Sequence, residues 1–447
     1  MFYPSNACTN PRSKSLIVRD VSLNPMLESK EHKIAILGLG YVGLPLAVAF
    51  ASHYDVLGFD TNGEKALRIA GGIDPTDELE GDQLALALQS KLRISSNPAD
   101  LSICNTFIIT VPTDIKQDKS PNLDPLIEAS KTIGQHLHAG DLVIYESTTY
   151  PGCTEEICVP ILEQTSGLTY NQDFTVGYSP ERINPGDKIR KLKDILKVTA
   201  GSTPEAANQV NQLYLTIIEA GTHLAPSIKV AEAAKAIENA QRDVNISFIN
   251  ELALIFDKLA IDTGDVLAAA QTKWNFLPFK PGLVGGHCIS VDPYYLAHKA
   301  QEVGHDPQVI LSGRRINDSM GLHVASSIVK LMHQKDLPVK GSKALILGLA
   351  FKENTGDVRN SKVVDVYQEL KSFGLDVDVY DPLASPIQAK KEYGIDLLET
   401  IDLSHYSTIL LAVAHDAFKT LEIATSKERV VYDLKGVLPR DLVDKRL

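Results

Sequence analysis

Short apolar runs alternate with stretches of helical periodicity along most of the chain. In its first half, apolar strands are predicted at Lys33–Leu37, Asp55–Phe59, Thr106–Val111, Leu142–Glu146 and Thr175–Tyr178. Amphipathic helices are predicted between them, at Pro125–His136 and Gly152–Gln164. Strands that alternate with helices favour an α/β fold with a doubly wound parallel sheet, whose ligands bind beyond the carboxyl ends of the strands.

A glycine-rich turn follows the first of these strands. The turn is GLGYVG, with Gly38, Gly40 and Gly43, and the second strand ends on Asp60, 22 residues beyond Gly38. In a dinucleotide-binding fold these glycines make the turn, admit a pyrophosphate to the helix N-terminus and allow tight helix-strand packing. An acid at the end of the second strand accepts hydrogen bonds from a ribose diol and repels a 2′-phosphate, so the pattern predicts NAD rather than NADP.

The longest helical pattern runs from Ser227 to Ala260 without an internal Pro or Gly. A helix of roughly 34 residues spans about 50 Å, which is more than one small domain needs. We therefore expect it to link two domains and to build a subunit interface, which predicts a homodimer. Another helical region, Val309–His333, follows it.

A second group of strands repeats the pattern of the first, at Lys343–Leu347, Asp376–Tyr380, Thr408–Ala412 and Val430–Asp433. The three-glycine turn is absent there, so we interpret it as a degenerate nucleotide-binding fold for a nucleotide other than NAD, with Lys352 and Lys435 as phosphate partners. The predicted organisation is two Rossmann-like doubly wound domains, 33–226 and 336–447, joined by a central helical region, 227–335. Residues 1–32 lack periodicity and predict a flexible N-terminal extension.

Composition and charge exclude several classes of function. Lys and Arg number 44 against 56 Asp and Glu, which gives a net charge of −12 without any basic run, so neither nucleic acid nor a membrane is an expected partner. No apolar run reaches the ~18 residues of a membrane span and no signal peptide opens the chain, which predicts a cytoplasmic protein. The cysteines are odd in number and scattered, which predicts free thiols and no metal site: Cys8, Cys104, Cys153, Cys158 and Cys288.

Candidate chemistry concentrates in Pro281–Pro293, which reads PGLVGGHCISVDP. Cys288 follows two glycines and precedes Asp292 by four residues, and small residues let a ligand approach closely. The alternative for a single cysteine is a small buried hydrophobic residue. On the long helix, Lys235 and Asn239 share a face, although a lysine on a helix is commonly just solvated.

Polar loops also follow three strands of the first sheet, at Pro112-Thr113, Ser147-Thr148-Thr149 and Glu181-Arg182. Their position at the ligand-binding edge suits contacts with a cofactor or a polar substrate. The alternative is that they are ordinary turn-forming residues.

The motifs together carry a resemblance to a known family. GLGYVG, YEST, SPERINPG, AEAAKAIEN, GLVGGHC with Asp292, FKENTGDVRNS and the YDP triplet occur in one order between Lys33 and Gly436. In that order they resemble the UDP-glucose/GDP-mannose dehydrogenase family of nucleotide-sugar 6-dehydrogenases. In particular, the chain is similar to the bacterial members that act on UDP-N-acetylglucosamine or UDP-N-acetylgalactosamine in capsule, Vi-antigen and O-antigen pathways.

The resemblance implies a four-electron oxidation of the C6 alcohol of a UDP-N-acetylhexosamine by NAD. The alcohol becomes an aldehyde, Cys288 traps it as a thiohemiacetal, a second hydride transfer gives a thioester, and water releases the uronic acid. Lys235 and Asn239 stabilise the developing alkoxide, an effect of roughly 3 kcal/mol per donor. Asp292 orients Lys235 or the water, Glu181 acts as the general base of hydrolysis, and Thr148 positions water or nicotinamide.

Site residues follow from the same resemblance, residue by residue. The catalytic set is Cys288, Lys235, Asn239, Asp292, Glu181 and Thr148. The NAD-binding set is Gly38, Gly40, Tyr41, Val42, Gly43, Asp60, Lys65, Pro112, Thr113, Thr148 and Arg359. The substrate-binding set is Glu181, Arg182, Lys235, Asn239, Lys280, Gly282, Gly285, Phe351, Lys352 and Lys435.

Several positions depart from the UDP-glucose dehydrogenases. Those enzymes carry PEFLxE where this chain has PERINPG, so Pro185 replaces their second acid. Lys435 replaces an arginine near the C-terminus, and Val291 replaces a lysine before the loop aspartate. Because PERINPG is typical of the N-acetylhexosamine enzymes, it favours a 2-acetamido sugar, with UDP-glucose or UDP-N-acetylmannosamine as the alternative substrates.

Two other functions remain open on the residues alone. One is a hydroxyacid dehydrogenase that transfers a single hydride and leaves Cys288 structural. The other is a catalytically silent sensor or scaffold that binds nucleotide sugars.

Overall fold

The computed structural model describes residues 31–76, 78–183, 190–286 and 289–447. Cys288, Pro185 and the greater part of the predicted N-terminal extension lie outside the described residues. Within the described part of the chain, no helix is long and apolar enough to span a membrane.

The first sheet is assembled from eight of the first ten strands, in the order β10-β9-β8-β7-β4-β1-β2-β3. The ten strands are β1 Lys33–Leu37, β2 Asp55–Phe59, β3 Leu92–Ser95, β4 Thr106–Ile109, β5 Asp114–Ile115, β6 Pro121–Asn122, β7 Leu142–Tyr145, β8 Thr175–Tyr178, β9 Lys197–Gly201 and β10 Thr222–Leu224. Strands β5 and β6 pair separately as a small antiparallel hairpin. Apolar clusters cover both faces of the sheet, which is why its strands read as continuous apolar runs.

Two strands, β9 and β10, correct the expectation of a fully parallel sheet. Strand β9 runs antiparallel to β8, with Tyr178 opposite Ala200, and β10 is parallel to β9. The first residue of β9, Lys197, therefore lies at the same edge of the sheet as the last residues of β7 and β8. That edge is where ligands of such sheets bind.

In the described parts of this region, six helices flank the first sheet: α1 Gly43–Ala51, α2 Gly63–Ala70, α3 Gln83–Gln89, α4 Asp124–Gly134, α5 Val159–Ser166 and α6 Pro204–Leu215. The helix predicted at Gly152–Gln164 begins instead with a π-helical turn, Thr154–Cys158, that continues into α5. Helix α5 ends where Gly167 adopts a left-handed conformation with φ 73°, a position that suits glycine.

The central region is helical, as the periodicity predicts. It contains α7 Ile228–Leu259, α8 Thr263–Ala270, α9 Asp292–Glu302 and α10 Gln308–Gln334. The Ser227 hydroxyl caps α7 by accepting a hydrogen bond from the Val230 N–H at 3.3 Å. The helix ends at Ala260, whose φ of 55° stops it.

The second sheet is five-stranded and parallel, in the order β12-β11-β13-β14-β15. Its elements are β11 Lys343–Leu347, α11 Val363–Ser372, β12 Asp376–Tyr380, α12 Pro386–Tyr393, β13 Thr408–Leu411, β14 Val430–Asp433 and β15 Lys445–Arg446. Together with the first sheet and α7, it confirms the predicted class of two Rossmann-like units and a long central helix.

The two sheets share the geometry of their first turn. Gly348 has φ 93° and Gly38 has φ 94°, and the N–H of each donates to the last carbonyl of the second strand, at 2.8 Å and 2.9 Å. The acid after that strand has more protein partners in the second sheet than in the first. Asp381 accepts from four backbone N–H groups and lies 3.1 Å from His415 Nε2, whereas Asp60 accepts from two backbone N–H groups and from Lys65. The Asp381 carboxylate is therefore less available to a ribose than that of Asp60, which favours the interpretation of a degenerate nucleotide fold.

Candidate active site

The glycine turn of the first sheet has the shape that a dinucleotide requires. A Cβ at Gly43 would lie 1.9 Å from the Gly38 carbonyl oxygen and 2.4 Å from Thr110 Oγ1, so the turn and α1 touch only because that residue is glycine. A Cβ built at Gly40 meets no described atom within 4 Å. The space above Gly40 is open at the N-terminus of α1, and it fits a pyrophosphate held by backbone N–H groups.

Asp60 stands at the end of β2, beside that turn. Its carboxylate accepts hydrogen bonds from the Leu39 N–H at 3.0 Å, the Asn62 N–H at 3.0 Å and Lys65 Nζ at 2.8 Å. Burial raises the pKa of Asp60, but these donors outweigh burial and hold the pKa below its ordinary value. An ionised carboxylate here suits a ribose diol and opposes a 2′-phosphate.

A cleft of about 1430 Å³ opens at the glycine turn and reaches the second sheet. Gly40, Tyr41 and Lys65 line it on one side, and Asp357 and Arg359 line it on the other. The Arg359 guanidinium is held by Asp357, at 2.9 Å from Nε and 2.7 Å from Nη2. An arginine from the far sheet thus faces the place where the sequence puts NAD.

Lys235, Asn239 and Asp292 come together between α7 and α9. All three are buried, and Asn239 Nδ2 donates to Asp292 Oδ2 at 2.6 Å. Burial raises the pKa of Asp292 to about 6, against the opposing influence of Lys235 and of the Asn239 bond. The cluster is a buried cation, an amide donor and an acid that titrates close to neutral pH, four residues after Cys288 in the chain.

Glu181 lies at the carboxyl end of β8 and is also buried. Its Oε1 accepts from the N–H groups of Arg182 and Ile183, each at 2.7 Å, and its Oε2 accepts from Lys197 Nζ at 2.7 Å. Burial raises its pKa, but Lys197 and the two N–H groups hold it below the ordinary value. Arg182 turns away from this carboxylate and pairs with Glu238 of α7 at 2.8 Å.

Thr148 belongs to a turn that α7 holds in place. Glu232, fully buried, accepts from Gly152 N–H at 2.6 Å, from Thr154 N–H at 2.9 Å and from the hydroxyls of Thr149 and Thr154. Glu232 lies one helical turn before Lys235, so the loop that carries Thr148 and the lysine share one rigid support. Pro112 and Thr113 follow β4 in the neighbouring loop, where the Tyr295 hydroxyl donates to the Asp114 carbonyl at 3.0 Å.

The start of the cysteine loop rests on α7 and on the second sheet. Asn250 donates to the Gly282 carbonyl at 3.0 Å and accepts from the Gly282 N–H at 2.8 Å. The Gly286 N–H donates to the Asn360 carbonyl at 3.1 Å. A Cβ at Gly285 would lie 2.5 Å from that same oxygen, so only glycine fits.

Phe351 also packs against the start of the cysteine loop, because a Cβ at Gly286 would lie 2.9 Å from its ring. Lys435 reaches from the end of β14 to within 3.7 Å of Glu353, and Lys352 follows Phe351 directly. Lys280 is exposed ahead of the loop. The structure thus brings Phe351 against Gly286, the neighbour of the predicted Gly285.

Comparison with known proteins agrees with this arrangement. Three family models match in order: the NAD binding domain of the UDP-glucose/GDP-mannose dehydrogenase family at residues 32–218, its central domain at 229–319 and its UDP binding domain at 345–440. The chain belongs to the UDP-glucose/GDP-mannose dehydrogenase family. As a member of this family it is a dehydrogenase of nucleotide sugars, and the predicted cofactor, NAD, is confirmed.

Individual relatives narrow the comparison. The chain is 55% identical over 423 residues to a UDP-N-acetyl-D-glucosamine 6-dehydrogenase of Pseudomonas aeruginosa, covering 94% of this chain and 100% of the relative. It is 52% identical to the Salmonella typhi protein of the same name, covering 93% and 99%. The solved structure of UDP-D-ManNAc dehydrogenase from Pyrococcus horikoshii superposes with a TM-score of 0.83 at 30% identity, covering 92% of this chain and 98% of that one.

Sequence reasoning missed four buried side chains of this family member: Glu146, Lys197, Glu232 and Asn250. Their signal was weak because single polar residues in strands and helices are most often exposed. The YEST motif contains Glu146 and could have drawn attention to it. Among the residues that the structure describes, no group of three or more metal-ligating side chains is present.

Proposed function

We propose that the protein catalyses the four-electron oxidation of the C6 alcohol of a UDP-N-acetylhexosamine to the uronic acid. UDP-N-acetylglucosamine is the first candidate substrate and UDP-N-acetylgalactosamine the second, for the synthesis of a surface polysaccharide. The observation that carries the proposal is the buried Lys235, Asn239 and Asp292 cluster beside the cysteine loop. The 55% identity to a UDP-N-acetyl-D-glucosamine 6-dehydrogenase supports the choice of sugar.

The glycine turn, Asp60, Lys65 and Arg359 would hold NAD, which would supply the hydride acceptor for both oxidations. In the first half-reaction the C6 hydroxyl loses its proton and the C6 carbon loses a hydride, while Lys235 and the Asn239 amide stabilise the alkoxide that develops. The buried Asp292 becomes ionised above a pH of about 6, so at neutral pH it is able to accept a proton.

In the second half-reaction the Cys288 sulfur adds to the aldehyde carbon, and the aldehyde oxygen takes up a proton. Loss of that proton and of a second hydride leaves a thioester. Glu181, ionised and fixed by its three donors, takes a proton from the attacking water, and the C–S bond breaks to return the thiol and release a carboxylate. The sum consumes one water and two NAD per uronic acid.

A panel of UDP-sugars tests this reaction. We expect UDP-N-acetylglucosamine to give two NADH per uronic acid formed, with kcat/KM at least ~10-fold above that for UDP-glucose, because a pocket shaped for a 2-acetamido group leaves polar groups unpaired with a hydroxyl. NADH is counted by absorbance and the product by mass spectrometry. One NADH with release of an aldehyde would instead support the single-hydride alternative.

The proposal includes a homodimer formed along α7. Five apolar side chains of that helix are between 45% and 60% exposed, namely Val230, Ile237, Phe248, Ile255 and Leu259. At 100° per residue they form one stripe, roughly 160° to 180° around the helix from the buried Glu232 and Asn239. An apolar stripe of this length on an outer helix face is suited to a second copy of the chain.

Light scattering after gel filtration tests the dimer. We expect the protein to elute with twice the mass of one chain, and the double variant Ile237→Asp, Phe248→Asp to elute as a monomer, because two carboxylates in an apolar interface are costly to desolvate. Ile387→Asp is the matched control, since Ile387 is 83% exposed on α12, away from the stripe. A wild-type monomer would contradict the proposed dimer.

A further inference from the structure

The buried charge cluster at the carboxyl edge of the first sheet contains groups that the proposed reaction does not use. Lys197 Nζ donates hydrogen bonds to Glu181 Oε2 at 2.7 Å and to Glu146 Oε2 at 2.8 Å. The side chains of all three residues are almost completely shielded from solvent. The Tyr214 hydroxyl donates to the second oxygen of Glu146. The Lys197 ammonium also lies 5.3 Å from the centre of the Tyr214 ring.

The reversed direction of β9 creates this cluster. In a parallel strand the first residue would lie at the opposite edge of the sheet, a full strand length from Glu181. Because β9 is antiparallel to β8, its first residue meets the last residues of β7 and β8. The carboxylates reach Lys197 from two neighbouring strand ends.

The cluster holds two carboxylates and one ammonium, so one negative charge is in excess if both acids are ionised. Burying an unpaired charge costs several kcal/mol, and the excess must fall on the acid with fewer donors. Glu181 has two backbone N–H donors in addition to Lys197, whereas Glu146 has only the Tyr214 hydroxyl among the described residues. Burial accordingly raises the pKa of Glu146 to about 7, Lys197 opposes the rise and Glu181 adds to it.

We propose that Lys197 and Glu146 are positioning residues for Glu181 in thioester hydrolysis: Lys197 keeps Glu181 ionised and aimed, and Glu146 competes for the same ammonium. This inference rests on the role of Glu181 in the proposed function. Among the described residues, the titratable groups that face Glu181 are Glu146 from the end of β7, Lys197 from β9 and Tyr214 from α6. Arg182, its neighbour, is occupied by Glu238 of α7.

The two residues predict different effects on the pH dependence of hydrolysis. A general base works only when ionised, so the rate falls as the pH drops through its pKa, and this fall is the acid limb of the profile. Removing the ammonium with Lys197→Met destabilises ionised Glu181 and moves the acid limb to higher pH. Glu146 is already neutral where Glu181 titrates, so Glu146→Gln should leave the acid limb in place and abolish the inflection near pH 7 at which ionised Glu146 begins to compete for the ammonium.

The measurement is the decay of the Cys288 thioester at a series of pH values. Enzyme in excess is mixed with UDP-N-acetylglucosamine and saturating NAD, quenched in acid, and the adduct is followed by intact-protein mass spectrometry. For Lys197→Met we expect the limb to rise by about one pH unit or more and the plateau rate to fall ~10-fold or more. For Glu146→Gln we expect an unchanged acid limb, little loss of plateau rate and loss of the inflection near pH 7.

Two further variants make the outcome decisive. Lys197→Arg keeps the charge and should restore the wild-type limb, and Lys131→Met removes an exposed lysine paired with Glu128 and should leave the profile unchanged. If Lys197→Met does not fold, the loss or persistence of the inflection near pH 7 in Glu146→Gln decides. A Lys197→Met limb that coincides with the wild type, or an inflection near pH 7 that persists in Glu146→Gln, would overturn the inference. If the wild-type enzyme forms no adduct, the proposed function itself fails before any variant is compared.

Discussion

Replacing Cys288 by Ser is expected to abolish formation of the uronic acid, by ~10⁴-fold or more, while NAD and the UDP-sugar still bind. A serine hydroxyl is hardly ionised at neutral pH, so it does not trap the aldehyde, and the second oxidation then has no substrate. Turnover is measured as NADH and uronic acid, and binding of both ligands by calorimetry. The prediction rests on the family resemblance of the GLVGGHC motif, because Cys288 lies outside the described residues.

Cys104→Ala is the matched control, since Cys104 is a buried thiol beside the first sheet. It should keep turnover near the wild-type value. A Cys288→Ser enzyme with unchanged turnover that yields one NADH per substrate would favour the single-hydride dehydrogenase. Loss of turnover without any effect on the biological output would favour the scaffold.

The elements that could be predicted are those whose cause is local. The strand Lys33–Leu37, the glycine turn and Asp60 are adjacent in sequence, and each has one residue type that its position requires. The bounds of α7 follow from Ser227 as a cap and from the lack of Pro or Gly until after Leu259. The second sheet follows from the same apolar runs, and the family motifs then supply the chemistry.

The contacts that could not be predicted depend on strand direction and on long-range packing. No residue near Lys197 in the sequence indicates that β9 is antiparallel to β8. A lysine is also among the residues least expected to be fully buried. The 2.6 Å bond between Asn239 and Asp292 joins residues 53 positions apart. The π-helical turn at Thr154–Cys158 is likewise set by Glu232, which binds the turn from a helix far along the chain.

Helix α7 brings these long-range contacts together. Its buried polar residues lie at helical spacing on one face, and each holds a different part of the protein: Glu232 the Thr148 turn, Asn239 the start of α9, Asp243 the Arg314 guanidinium of α10 and Asn250 the cysteine loop. A helix with a polar inner face gains its stability from these bonds and from packing at both faces. Along the helix Lys235 lies between Glu232 and Asn239, so its position is fixed by a neighbour on either side.

Lys235→Met is expected to lower kcat by about 10² to 10³-fold, because the alkoxide that develops at C6 loses its nearest cation. Methionine preserves most of the side-chain volume, and the fold should persist. Since Lys235 lowers the pKa of Asp292, its loss should also move the acid limb of the first hydride transfer to higher pH. The measurement is single-turnover NADH formation from pH 5 to 9, with NAD affinity determined in parallel.

Lys229→Met provides the comparison on the same helix, since Lys229 is half exposed and pairs with Glu156 at 2.9 Å. Exposed pairs contribute at most ~1 kcal/mol, so this variant should be close to the wild type in rate and pH profile. Lys235→Arg, which keeps the charge but changes its shape, should recover only part of the rate. A Lys235→Met enzyme whose kcat is within a few-fold of the wild-type value would mean that the Lys235 ammonium does not face the reacting oxygen. The assignment of Lys235, Asn239 and Asp292 to catalysis would then have to be abandoned.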